Sequence, residues 1–281
     1  MITIREVIGK STDFLSDKNV PNARREAEEV VANSLKRPRI DLYMHFDQPL
    51  EEAELQLIRQ NLSRRAKREP LQYIMGEVPF FDARIKVGPD VLIPRVETEI
   101  LVDQIAKKLE KEAHEGKVLW DLCCGSGCIG ISLKKRFPLL RVILSDISQK
   151  ALNLAKKNAE MNHCDVEFYE GDLFEAFSDP VDYLVCNPPY ISEDEYRDLE
   201  PEVKTHEPKI SLVSGATGLE CYERIAKELK NNLKKEGKLW LEIGSTQGSP
   251  VQEMFYHKTN LKGELTRDYS GQMRFFFLEL E

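Results

Sequence analysis

The chain has 281 residues, 41% of them hydrophobic and 31% charged, enough for two domains or one large one with a sizeable core. No apolar run approaches the roughly 18 residues of a membrane span, and the opening MITIREVIGK reads as a helix rather than as an export signal, so a cytoplasmic location with no membrane partner is expected. The net charge of −8 lies wholly in residues 80–281, with 27 basic against 35 acidic, because residues 1–79 balance 13 against 13; stable nucleic-acid binding through a general phosphate grip is not expected.

Residues 1–77 read as a small all-helical domain. Thr3 and Glu6 have the spacing of a capping box, with Val7 and Ile8 following. Pro21 opens a second helix in which Ala27, Val30, Val31 and Leu35 recur at helical spacing, and Pro38 closes it. A third helix runs from Glu51 to about Arg68 with Leu55, Ile58 and Leu62 on one face. Arg64, Arg65, Lys67 and Arg68 read as its solvated end.

Residues 78–97 form a linker. VPFFDARIKV (78–87) alternates and predicts a β-hairpin, and LIPRVETEI leads through a turn at Pro94 into a helix. From 98 to 281 strands and helices alternate. KVLWDL, RVILSDI, VEFYEGD and DYLVCN are four strands separated by the turn CCGSG with its helix, the helix QKALNLAKKNAEMN and a short third link. A connection over 189–218, about 30 residues and far longer than common loops, leads to a helix from Leu219, strand GKLWLEI, a helix near 247–258, and the strands ELTRDY and RFFFLEL joined by SGQM. The order predicts an α/β, doubly wound, mostly parallel sheet of seven strands whose last pair is an antiparallel hairpin.

The six cysteines are expected as free thiols. The run Cys123-Cys124-x-x-x-Cys128 lacks a nearby His and a paired C-x-x-C, so no metal site is predicted there.

Ligands of such sheets bind outside the carboxyl ends of the strands. The first strand ends in Asp121 and the turn Cys123, Cys124, Gly125, Ser126, Gly127; the second ends at Asp146, the third at Asp172, the fourth at Asn187-Pro188-Pro189-Tyr190. Glycines let backbone approach a ligand and present N–H groups. Asp146 follows Gly127 by 19 residues (127 to 146), a spacing at which an acid meets ribose hydroxyls. An adenosine-type cofactor is therefore expected. The turn is read as Cys123-x-Gly125-x-Gly127 with Gly130 three residues on, and the fourth strand end decides against a nicotinamide dinucleotide, because hydride transfer has no use for Asn-Pro-Pro-Tyr.

The stretch LVCNPPYISE (184–193) suits a different reaction. A planar –C–NH₂ nitrogen is a poor nucleophile, since its lone pair is delocalised. The Asn187 side-chain oxygen and the Pro188 carbonyl can accept its two hydrogens, the two prolines stiffen the turn, and Tyr190 offers a face for a flat group. That is a clamp for methyl transfer to an amide or amino nitrogen. Two alternatives stay open on these residues: an adenine-N6 methyltransferase acting on DNA or RNA, and a non-catalytic protein that binds the cofactor.

The segments PLQYIMGEVPFF, VLIPRVETEIL, DLCCGSGCIGISL, NPPYI, HEPKISLVSGATGLECY and DYSGQMRF, in this order and with the helical N-terminus, resemble the HemK/PrmC family over nearly the whole chain. NPPY alone is shared with other amino-methylating enzymes. The resemblance implies a Rossmann-like methyltransferase sheet and transfer of a methyl group from S-adenosylmethionine to the glutamine of the Gly-Gly-Gln loop in peptide chain release factors. It implies methionine contacts at Cys123–Gly127, ribose on Asp146 and adenine near Asp172 and Leu173. The glutamine amide would lie in Asn187–Tyr190, with Arg95 and the helical domain on the protein substrate. Cys123 stands where the family usually has glycine, and Leu173 where some relatives have an aromatic. Cys123 and Cys186, at neighbouring strand ends, are expected to border the cofactor pocket.

Overall fold

The computed structural model describes residues 2–281 and divides the chain into two units, one reaching to Gly76 and including Glu200–His206, the other comprising Glu77–Leu199 and Glu207–Glu281.

In the first unit α1 (Ile4–Asp17) starts where the Thr3 hydroxyl accepts the Glu6 N–H and Glu6 accepts that of Thr3. Then come α2 (Ala23–Ser34), α3 (Arg39–Met44), α4 (Glu52–Ala66) and α5 (Leu71–Met75), ended by Gly76 at φ +80°. Ile4, Ile8 and Leu15 pack with Ala27, Val30, Val31, Leu42 and Ile58 in one core. Pro38 begins α3 rather than merely closing α2, and α5 is a further short helix that the sequence pattern did not separate.

The basic run is a solvated helix end only at Arg64 and Lys67, which are exposed. The Arg65 side chain is only 3% exposed and pairs with Glu26, and with Glu202 at 2.9 Å; Arg68 pairs with Glu202 at 3.1 Å and Arg64 with Glu69 at 2.6 Å. Glu202 arrives on a segment remote in sequence, which no local pattern predicts.

The second unit begins with the hairpin β1 (Glu77–Phe80) and β2 (Ala83–Lys86), followed by α6 (Val96–Leu109). The hairpin does not float between the units. The Asn158 and Asn162 side chains accept the Lys86 and Arg84 N–H groups at 2.8 and 3.2 Å, which ties it to the sheet unit.

Next come β3 (Val118–Leu122), α7 (Cys128–Arg136), β4 (Arg141–Asp146), α8 (Gln149–Met161), β5 (Glu167–Glu170) and β6 (Val181–Cys186). The 189–218 connection is largely structured, as α9 (Glu193–Arg197), α10 (Pro201–His206) and a 3₁₀ turn at Lys209–Ser211. The chain closes with α11 (Glu220–Asn232), β7 (Leu233–Glu242), α12 (Gly248–Thr259), β8 (Glu264–Arg267) and β9 (Met273–Glu279).

These strands form one seven-stranded sheet in the order β5-β4-β3-β6-β7-β9-β8, parallel from β5 to β7 with β9 antiparallel to both neighbours. Strand β6 is buried at every position and β3 at four of five, as strands covered on both faces require. The chain winds outward from β3 through β4 and β5, then returns to place β6 on the other side of β3. This reversal opens a crevice at the carboxyl ends of β3 and β6.

Candidate active site

A cavity of about 240 Å³ occupies that crevice, lined by residues that include Thr98, Cys123–Ser126, Asp146, Asp172, Leu173, Asn187 and Pro189. Gly127, Pro188, Tyr190 and Arg95 do not line it.

The floor is the turn after β3. Cys123, Gly125 and Gly127 all have positive φ, +58°, +52° and +77°, an alternation that turns backbone N–H groups toward one concavity. Glycine is favoured at 127 by φ, and an added Cβ would stand 2.9 Å from Ile131 Cδ1, so that side-chain end would have to shift. Cys123 has the left-handed conformation that glycine adopts without cost.

Asp121 lies beneath this turn, fully buried. One carboxylate oxygen accepts the Gly130 N–H at 2.8 Å and the other, Oδ1, has no partner. Burial, offset only in part by the Gly130 N–H, pushes its carboxyl up to about 7.

Asp146, at the end of β4, is held by two backbone donors, Gly125 N–H on Oδ2 and Ser148 N–H on Oδ1, both at 2.8 Å. Burial raises its carboxyl above the ordinary range despite those bonds. Each oxygen keeps lone pairs for a further donor, a set that suits a pair of hydroxyls. Asp172 is not a free acceptor: it pairs with Arg224 at 2.9 Å. Leu173 is buried with φ +53° and lines the cavity.

At the end of β6, the Asn187 amide donates from Nδ2 to Thr98 Oγ1 at 3.2 Å, and Thr98 donates to Glu242 Oε2 at 2.7 Å. The next residue, Pro188, is buried. The Tyr190 hydroxyl lies 3.5 Å from Glu242 Oε1, and its carbonyl accepts from Gln247 Nε2 at 2.8 Å. Burial, then the nearby Glu242 carboxylate, drives the Tyr190 phenol well above its usual range. Arg95 caps α6 from outside the cavity, its guanidinium paired with Glu207 at 2.5 Å.

The structure thus brings together Cys123, Cys124, Gly125, Ser126, Asp146, Asp172, Leu173, Asn187 and Pro189 and leaves Arg95 apart. Cys186 is fully buried and does not border the cavity; the cysteines that do are Cys123, Cys124, Cys128 and Cys221. Thr98 and Glu242 were not singled out from sequence. The available signal was an acid ending the otherwise apolar strand LWLE at the fifth parallel strand end.

A ligand here meets the Asp146 carboxylate, while the lining Asp172 and Arg224 are already paired with each other. A pyrophosphate would be repelled, whereas an adenosine carrying a sulfonium charge fits the acceptors present. No group of His, Cys, Asp and Glu able to hold a metal occurs among the described residues.

The doubly wound sheet, the turn after β3 and the acid after β4 define a Rossmann-like methyltransferase, with S-adenosylmethionine as methyl donor. Residues 96–200 match the methyltransferase small domain family and residues 6–76 the PrmC N-terminal domain. The chain is 43% identical to the release factor glutamine methyltransferase of Chlamydia trachomatis serovar L2, covering 98% of this chain and 94% of that protein. It is 40% identical to the enzyme of that name from Geobacter sulfurreducens over 90% and 88%. The chain belongs to the release factor glutamine methyltransferase family. Among solved structures it is similar in fold to the T. thermophilus 16S rRNA N2 G1207 methyltransferase in complex with AdoMet and guanosine. That match has TM-score 0.54 and 14% identity, and covers 73% of this chain and 50% of that one.

Proposed function

We propose that this enzyme methylates the side-chain amide nitrogen of the glutamine in the Gly-Gly-Gln motif of peptide chain release factors. The observation that carries the reading is Asn187, held by Thr98 on the wall of a cavity that Asp146 also lines. S-adenosylmethionine, when bound, supplies a methyl group made electrophilic by its sulfonium charge.

Asp146, oriented by two backbone N–H groups, binds the ribose hydroxyls. The turn Cys123–Gly127 carries the methionine portion, and Leu173 with Asp172 flanks the adenine. Asn187 Oδ1 and the Pro188 carbonyl accept the two hydrogens of the substrate amide, aiming its lone pair at the methyl group, with Pro189 and Tyr190 keeping the turn rigid. Catalysis then consists of proximity and orientation; no side chain is assigned as a general base. The helical unit and the 189–218 connection, with Arg95, recognise the release factor outside its Gly-Gly-Gln loop. A cytoplasmic location and the absence of stable nucleic-acid binding accompany this substrate.

Incubation with methyl-labelled S-adenosylmethionine separates the readings. Label is expected on a folded release factor and not on duplex DNA or RNA. Label on nucleic acid alone would identify an adenine-type methyltransferase, and cofactor binding with no transfer to either would identify a binding protein.

A further inference from the structure

Thr98 lies in the first turn of α6 and is buried, 2% exposed. Its hydroxyl stands between two partners, receiving Asn187 Nδ2–H and donating to Glu242 Oε2. A hydroxyl has a single proton to donate, and an ionised carboxylate can only accept. The Thr98 proton therefore goes to Glu242, and only lone pairs remain to face Asn187. An amide reversed about its last side-chain bond would set Oδ1 against those lone pairs, oxygen to oxygen. The Asn187 amide is thereby fixed with its NH₂ on Thr98 and its oxygen free for another donor.

We propose that Glu242 and Thr98 are positioning residues for methyl transfer: by holding the only hydroxyl proton of Thr98, Glu242 sets the polarity of the Asn187 amide, so that an acceptor and not a donor meets the substrate NH₂. The inference rests on the amide clamp at Asn187 and adds to it the two residues that make the clamp an acceptor. The polarity matters because a –C–NH₂ substrate brings two donors, and a reversed Asn187 would meet them with a third.

The relay has a charge state. Around Glu242 stand Thr98 and Glu97 from α6, Tyr190 from the turn after β6 and Arg274 from β9, while the Tyr222 hydroxyl of α11 donates to the Glu242 backbone carbonyl at 3.0 Å. Burial, aided by the Glu97 charge, outweighs Thr98, Arg274 and Tyr190 and raises the carboxyl to about 7. A protonated Glu242 can donate to Thr98 Oγ1, which frees the Thr98 proton for Asn187 Oδ1 and removes the preference for the productive amide. Turnover should therefore fall as pH drops through that range.

The test uses full-length enzyme with a folded release factor and compares Thr98→Val, Thr98→Ser, Glu242→Gln and Asn187→Ala. Thermal melts and cofactor affinity by calorimetry are recorded for each. Thr98→Val, close in shape, should lower kcat roughly 10- to 100-fold, the scale of a misplaced contact, with cofactor affinity unchanged. Thr98→Ser, which restores the hydroxyl, should recover most of it. Glu242→Gln should lower kcat and abolish the acidic limb of the kcat–pH profile. If Asn187→Ala is inactive while Thr98→Val keeps wild-type kcat, or Glu242→Gln keeps the wild-type pH profile, the relay is wrong and the clamp stands. If Asn187→Ala is itself fully active, the clamp falls and the relay with it.

Discussion

If Asp146 serves binding and Asn187 turnover, as proposed, single substitutions should separate the two. Asp146→Ala removes the acceptor held by Gly125 and Ser148, so cofactor affinity measured by calorimetry should weaken; unchanged affinity would take Asp146 out of the ribose role. Asn187→Ala should leave cofactor affinity intact and cost about 2–4 kcal/mol in kcat, the size of a lost transition-state hydrogen bond. Cys123 keeps a side chain at φ +58° on the cavity wall. Cys123→Gly relieves the steric cost of that conformation, roughly 1–2 kcal/mol, and should stabilise the fold in urea unfolding; a loss of stability would mean the side chain makes contacts that outweigh the strain. A thiol reagent should modify Cys123 ahead of the fully buried Cys186, with cofactor slowing the reaction. Asp146 and Asn187 were legible because a polar residue ending an apolar strand of a parallel sheet is conspicuous. Thr98 and Glu242 were not, because they meet across 144 positions of sequence and their importance is only in that meeting.

The long connection and the basic run of α4 have one structural explanation. Glu202 in α10 reaches Arg65, whose side chain is buried and also binds Glu26. Arg65→Ala would leave Glu26 without its partner while Glu202 keeps Arg68, and should destabilise the protein by about 1.5–3 kcal/mol in urea unfolding, the scale of a lost hydrogen bond to a charged group. A change below about 0.5 kcal/mol, the scale of an ordinary surface substitution, would return the run to a solvated face. Strands β3, β4 and β6 were readable as largely apolar runs, and the β8–β9 pair as two segments joined by the turn SGQM. The short helices α3, α5, α9 and α10 were not, since five or six residues carry too little periodicity. Strand β7 begins at Leu233, four residues before GKLWLEI, with a register shift opposite Val181 and Tyr183; tertiary pairing extends it where local sequence does not.

For the molecule as a whole, two buried carboxyls set a pH dependence. Asp121 and Glu242 titrate near 7 when folded, and near 4 when free. Between these limits the folded protein holds more protons than the unfolded chain, so both groups reduce stability as pH rises through the window. Glu242→Gln cannot ionise, and its stability relative to wild type should improve from pH 5 to pH 8. A constant difference would mean that Glu242 titrates alike in both states. Selectivity is also a property of the whole chain. Every glutamine and asparagine presents the group that the proposed Asn187 clamp would hold, so discrimination would then come from surface elsewhere. A folded release factor should be methylated far faster than a short Gly-Gly-Gln peptide at equal concentration; equal rates would make the helical unit a stabilising appendage. The central claim, transfer to a glutamine amide held by Asn187, is tested most directly by mass spectrometric peptide mapping of a release factor after incubation with wild-type enzyme or Asn187→Ala. One added methyl on the side-chain nitrogen of the Gly-Gly-Gln glutamine with wild type, and far less of it at equal time with the variant, is the predicted result. A methyl on any other residue, or equal methylation by the variant, would contradict it.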